Sequence, residues 1–336
     1  MNPDYQSQDN YGFLHGYING VTINNVSKDR VAININVTTN NKPFVNKEGK
    51  EVQRADFHRA VIFTSDEKVV EQFRSIAAKL EANKKAFNEV TQTYADGYEK
   101  QSFAVEMEGV IRPQKVTNKD GKKVNGSQLY VVVKPEDIKV DDLLAIKKAA
   151  DAKAAKDGLS PEERNAVAQE LSSVKSVEKG MPVNAIVLVG NISSAKVLNA
   201  DNKFAEITIA HNLEGKDSLH EGEPFYTKVE IDGKIPPQKG MLNQGKLFDQ
   251  IASGELGVGS FVRINGKMEN NNFEKTGENA GERFYGSKVS LYDINVINRK
   301  NNLSEQAQNT AKRKPAVADE KPAKKTGVVR RGGRRS

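Results

Sequence analysis

Val31-Ala-Ile-Asn-Ile-Asn-Val-Thr38 and Ala55-Asp-Phe-His-Arg-Ala-Val-Ile-Phe-Thr64 are the two stretches on which the fold turns. In the first, Val31, Ile33, Ile35 and Val37 alternate with small or polar residues, the period of a strand with one buried face. The second reads as a third strand, reached through a polar loop containing Asn46-Lys-Glu-Gly49. Ahead of both, Phe13 to Ser27 is an extended segment interrupted at Gly16 and Gly20, as expected of a strand that coils or bulges. A helix is expected next: Thr64 and Glu67 have the spacing of a capping box, and Val69, Phe73, Ile76 and Leu80 fall on one face. Gln101 to Ile111 and Gln128 to Val140 read as two more strands, joined around Asn118-Lys-Asp-Gly121. Five strands with a helix between the third and fourth is the element order of an OB-fold barrel.

The second half repeats this order. Pro182 to Ala195 reads as a strand carrying Gly190, Lys203 to Ala210 alternates, and Pro224 to Ile231 is a third strand. A short helix around Asn243 to Ala252 precedes Ser260-Phe-Val-Arg-Ile-Asn-Gly266 and, past a hairpin loop, Phe284 to Ile297. Phe103-Ala-Val-Glu-Met-Glu-Gly109 parallels Phe261-Val-Arg-Ile-Asn-Gly266, so one small barrel is duplicated in tandem. The expected class is therefore mainly β. Residues 1–12 form a flexible N-terminus, 13–140 and 181–298 two five-stranded OB-fold barrels with inserted helices, and 299–336 a disordered basic tail. Between the barrels, 141–180 is rich in Ala, Lys and Glu, and Ser160-Pro-Glu-Glu163 is a helix start with Pro at the first helical position. It reads as a partly helical linker; a helical hairpin packed on a barrel is the alternative.

Asp56-Phe-His-Arg-Ala-Val-Ile-Phe63 resembles the third-strand signature of bacterial-type single-stranded DNA-binding proteins, an aromatic-His-Arg-apolar-apolar pattern after a loop rich in Lys, Asp and Gly. The second half is similar at Ala185-Ile-Val-Leu-Val-Gly-Asn-Ile192 and Gly259-Ser-Phe-Val-Arg-Ile-Asn-Gly266. The resemblance covers both barrels but neither linker nor tail. It implies sequence-independent binding and protection of single strands in DNA replication, recombination or repair, with no catalysis and no cofactor. It also implies four barrels acting together, which a homodimer of this chain would supply. Replication or recombination proteins are the partners such a role brings. The family's acidic recruiting tail is replaced here by Arg330-Arg-Gly-Gly-Arg-Arg-Ser336.

Binding single strands without reading them needs aromatic faces for the bases and cations for the phosphates. The resemblance places Phe57 and Phe63 at stacking positions and Phe44 near a third; Val116 stands where a fourth aromatic is expected. In the second barrel Phe273 falls on the corresponding hairpin, and Phe225 and Tyr226 occupy the third strand without a His-Arg pair. Each Phe has a core role as its alternative. His58 and Arg59 sit inside the motif; Arg54, Lys42, Lys47, Arg112 and Lys115 are further candidate contacts, with Arg263, Lys267 and Lys275 in the second barrel.

Composition narrows the function classes. The chain of 336 residues carries 51 Lys+Arg and 44 Asp+Glu and no cysteine, which excludes thiolate catalysis, disulfides and cysteine-ligated zinc. No apolar run approaches the roughly 20 residues of a membrane helix. Met1 to Asn10 is polar, without a signal-peptide pattern, so a cytoplasmic protein is expected. His15, His58, His211 and His220 form no i,i+4 pair for a metal, and Gly240-Met-Leu-Asn-Gln-Gly-Lys246 has phosphate-loop spacing but Leu247 where Ser or Thr is required. From 299 to 336 there are 12 Lys/Arg against three acids, a net +9; the whole chain is +7, so residues 1–298 total −2. A nearly neutral body thus carries a basic tail, including Arg330, Arg331, Arg334 and Arg335, suited to a polyanion. Two other classes stay open: an assembly protein of a phage or mobile element using the barrels as docking modules, and an RNA-binding protein.

Overall fold

Ten long strands carry the fold. In the first half they are β1 (Tyr11–Ser27), β2 (Arg30–Asn40), β3 (Ala55–Thr64), β4 (Phe103–Thr117) and β5 (Lys123–Asp142). In the second they are β6 (Asn184–Asn199), β7 (Phe204–His211), β8 (Phe225–Asp232), β9 (Phe261–Asn270) and β10 (Ser287–Asn298). The computed structural model describes residues 10–40, 44–45, 48–53, 55–117, 121–174, 184–211, 224–235, 242–270, 273–274, 281, 283–284 and 286–298. By contact density the described residues all belong to one compact unit.

Pairing runs in a circuit within each half. β1 pairs β2, β2 pairs β3, β3 pairs β5 in parallel at Ala60↔Val131, and β5 pairs β4, which returns to β1. The second half repeats this: β6 to β7, β7 to β8, β8 to β10 in parallel at Val229↔Val289, β10 to β9, and β9 back to β6. The halves join through β1 and β6, antiparallel from Tyr11↔Val187 to Leu14↔Asn184, so all ten strands belong to one mixed sheet.

Each circuit closes because its first strand bends from one partner to another. β1 pairs β4 over Tyr11–Tyr17 and β2 from Tyr17 onward, with a register shift between Ile18 and Gly20. At the crossing the backbones approach so closely that a Cβ on Gly16 would lie 2.2 Å from the Thr38 carbonyl oxygen. Gly190 occupies the same place on β6, 2.2 Å from the Ala210 oxygen. The same steric constraint thus recurs at one position in each half.

Alternation puts Leu14, Ile33, Ile35, Ile62 and Val105 inside the first circuit and Leu188, Ile207, Val229 and Ile264 inside the second, all fully buried. Helix α1 (Glu67–Ala86) adds Val70, Phe73 and Ile76, worth roughly 1.5–3 kcal/mol for a fully buried large apolar side chain such as Phe73. Its cap differs from the sequence expectation. Asp66, not Thr64, is the N-cap and accepts from the Lys68 N–H, while the Thr64 hydroxyl accepts from the Asp66 N–H. A carboxylate adjacent to the first turn wins over a hydroxyl two residues further out, because it also meets the positive end of the helix dipole.

Asp141 to Val174 holds two helices, α2 (Leu143–Asp157) and α3 (Pro161–Leu171). Gly158 turns between them at φ 67°, and α3 starts where expected, with Ser160 and Glu163 forming a capping box ahead of it. Arg164 of α3 pairs with Asp151 of α2 at 2.9 Å. The excursion is closed at its base, where the Asp141 carboxylate accepts from the Ser172 and Ser173 hydroxyls and the Ser173 and Val174 N–H groups. Burial alone would raise the Asp141 carboxyl, but those hydrogen bonds outweigh it and hold the group below its ordinary value. In the second half, α4 (Gln244–Ala252) is capped by Asn243 and buries Leu247, Phe248 and Ile251. No helix of the described residues is long and apolar enough to cross a membrane.

Candidate nucleic-acid interface

β3 divides the quoted motif between two faces. Asp56, His58, Ala60 and Ile62 point inward and are buried, while Phe57, Arg59 and Phe63 lie on the other face. Phe57 is 58% exposed, a large apolar ring left in water. Arg59 is half-buried and its guanidinium donates to the Asn34 side-chain oxygen on β2. Phe63 is half-buried, with the Arg30 guanidinium 5.2 Å from its ring centroid, a cation–π contact that covers part of that ring.

The register identifies the matching position in the second half. Gly16 abuts Thr38, which pairs Phe57; Gly190 abuts Ala210, which pairs Tyr226. Phe57 and Tyr226 are therefore equivalent residues of the two circuits, and Tyr226 is 54% exposed. Its neighbour Phe225 is fully buried and stacks on His211, ring centroids 4.5 Å apart. Phe225 is a core residue, which corrects its placement among nucleic-acid contacts: inward positions of a strand have no path to a ligand outside.

His58 and Lys267 are corrected in the same way, because both belong to the seam between the halves. His58 is 5% exposed. Its Nε2 lies 2.9 Å from the Thr39 hydroxyl and 3.1 Å from Nδ2 of Asn184 on β6. The Asn184 oxygen accepts from the Met268 N–H, which turns the amide nitrogen toward His58 and the Met268 carbonyl. Nε2 must then accept, so the ring is neutral with its proton on Nδ1. Burial, only partly offset by Asp56 and reinforced by Lys267, lowers the His58 pKa to about 4. Lys267 bridges Asp56 of β3 at 3.0 Å and Glu269 at 3.2 Å, its side chain 14% exposed. Burial works against its ammonium, but Asp56 and Glu269 more than offset this and leave the pKa raised. A cation held by two carboxylates has little charge left for phosphate.

Of the other expected contacts, Arg112 and Lys115 are half-buried on β4, and Arg263 is half-buried on β9 between Val189 and Asn295. Val116, at the position where the resemblance calls for a fourth aromatic, is 43% exposed. The backbones of Phe44 and Phe273 lie in two-residue ribbons, paired with Val52 and Phe284. Lys42, Lys47, Arg54, Lys275 and the tail residues Arg330, Arg331, Arg334 and Arg335 lie outside the described residues. Sequence reasoning misses two exposed aromatics: Tyr17, 47% exposed on β1, and Tyr292, 37% exposed on β10. Tyr292 is the extra residue of a bulge between Asn265↔Asp293 and Gly266↔Leu291, so no period-two pattern marks it.

No family model matches the chain, and no curated protein matches it. Among solved structures, the chain is similar to the wild-type single-stranded DNA-binding protein of Thermus aquaticus. That match has 12% identity and a TM-score of 0.43, over 86% of this chain and 93% of that one. A Plasmodium falciparum SSB in complex with ssDNA matches at 14% identity and TM-score 0.26, over 42% of this chain and 98% of its own. The mitochondrial single-stranded DNA-binding protein Rim1 of S. cerevisiae matches at 15% identity and TM-score 0.23, over 34% and 95%.

Proposed function

We propose that this chain is a non-catalytic protein that binds single-stranded DNA without reading its sequence and serves replication, recombination or repair. Each circuit of five strands acts as an OB-type barrel, and a homodimer brings four together. The observation that supports this reading is the pair Phe57 and Tyr226, two half-exposed aromatics at equivalent positions on the third strands of both halves. A core explains neither ring, and an aromatic face in water is a platform for any base, since every base has a π-face. Arg59, Arg112, Lys115 and Arg263 are the candidate cations for phosphates, joined by the Lys/Arg of residues 299–336. His58, Phe225 and Lys267 serve the interior instead.

Titration of the full chain with oligothymidine, duplex DNA and an unstructured RNA tests this. Oligothymidine should bind tightest, and Phe57→Ala and Tyr226→Ala should each weaken it by about 1–3 kcal/mol while the fold survives. Equal binding of RNA would make the chain a general single-strand binder. Failure of all three ligands to bind would leave the barrels as docking modules.

A further inference from the structure

The polypeptide around Phe57 is not held by its own half alone. On one edge β3 pairs β2, where Phe57 faces Thr38. On the other it pairs β5 only at Ala60–Ile62, so at Phe57 that edge has left its partner strand. The second half takes the place of that strand. Asn270, the last residue of β9, accepts from the Phe57 N–H at its Oδ1 (2.6 Å) and donates from Nδ2 to the Phe57 carbonyl (2.9 Å). One carboxamide thus satisfies both polar atoms of the residue, as a neighbouring strand would. Asn270 is itself seated: its N–H donates to Asp56 Oδ1 at 3.3 Å, and Asp56 is bound to Lys267.

We propose that Asn270 is a positioning residue for strand binding: by clamping the backbone of Phe57 it fixes the ring on which a base stacks, so the first barrel's platform is completed by the second. This rests on the reading of Phe57 as a stacking residue. The consequence is energetic. A clamped ring enters the complex already oriented, and a loosened one must lose that freedom on binding, which lowers affinity without removing a contact.

The chain contains no tryptophan, so Phe57→Trp gives a single indole fluorophore at the platform. In the full-length protein carrying Phe57→Trp, oligothymidine should quench the indole emission. Adding Asn270→Ala should lower the indole anisotropy of the unliganded protein and weaken oligothymidine binding roughly three- to tenfold, the worth of about one net hydrogen bond. In a Phe57→Ala background, Asn270→Ala should cost nothing further. A purely structural Asn270 would instead cost the same factor in both backgrounds, which overturns the proposal, as does unchanged affinity and anisotropy. Should Asn270→Ala melt below the assay temperature, Asn270→Gln keeps the amide but displaces it by a methylene, and should show the same non-additivity. If Phe57→Ala alone leaves affinity unchanged, the stacking reading itself fails and takes this proposal with it. If Phe57→Ala weakens binding and neither Asn270 variant does, only the proposal fails.

Discussion

Phe57 and Tyr226 owe their exposure to strand parity, because each sits one residue beyond a buried neighbour, Asp56 and Phe225. That parity also assigns the histidines. His211 is fully buried, its Nδ1 2.9 Å from the Val189 carbonyl, and burial outweighs that bond to bring its pKa to about 4, like that of His58. Both histidines are neutral when folded and titrate near 6.5 when unfolded, so the unfolded state takes up more protons between these values. Stability is therefore complete above about pH 6.5 and drains away as pH falls toward 4. Urea unfolding at stepped pH should show the midpoint falling across that window, and His58→Gln should flatten part of the slope. A midpoint unchanged from pH 7 to pH 4.5 would contradict the burial of both rings.

At the scale of elements, the glycine crossings close the circuits. Gly16→Ala and Gly190→Ala each press a methyl onto a backbone oxygen at 2.2 Å, which no side-chain rotation relieves. Each should cost about 3 kcal/mol by denaturant unfolding, and a loss under 1 kcal/mol would mean that the strands separate freely there. Much at this scale was legible in the sequence. Alternation in Val31–Thr38 and Lys203–Ala210, the Pro161 helix start after Ser160 and the helix around Asn243 to Ala252 all correspond to observed elements, because each signal is local. Within β3 the sequence marks Phe57, His58, Arg59 and Phe63 alike, and only the parity of the folded strand separates buried His58 from the other three. What was not legible is long-range. Nothing near Lys267 announces Asp56, nothing near Asn270 announces Phe57, and the pairing of β1 with β6 joins segments over 170 residues apart. The closure of residues 141–174 on Asp141 is likewise set by residues more than 30 positions away.

For the whole molecule the balance is between a body at −2 and a tail at +9. Unless the grooves of the body concentrate positive charge, long-range attraction for a polyanion is expected to come from residues 299–336. Each single-strand phosphate neutralised adds about −0.7 to the slope of log K against log salt, so engagement of roughly half the tail's cations contributes about −4. Deleting 299–336 should flatten that slope, slow association and raise selectivity for single strands, since Lys-Pro and Gly-Gly spacing has no means of reading bases. An unchanged slope would show that the tail contacts no nucleic acid. The central claim, that the two barrels grip single strands through equivalent aromatic platforms, is met most directly by one titration. Labelled oligothymidine and a duplex of the same length are titrated with the chain lacking 299–336, as wild type and as Phe57→Ala/Tyr226→Ala. The account predicts clear preference for oligothymidine and, in the double variant, a loss near the sum of the two single losses. Equal affinity for both ligands, or a double variant that binds oligothymidine like wild type, would contradict it.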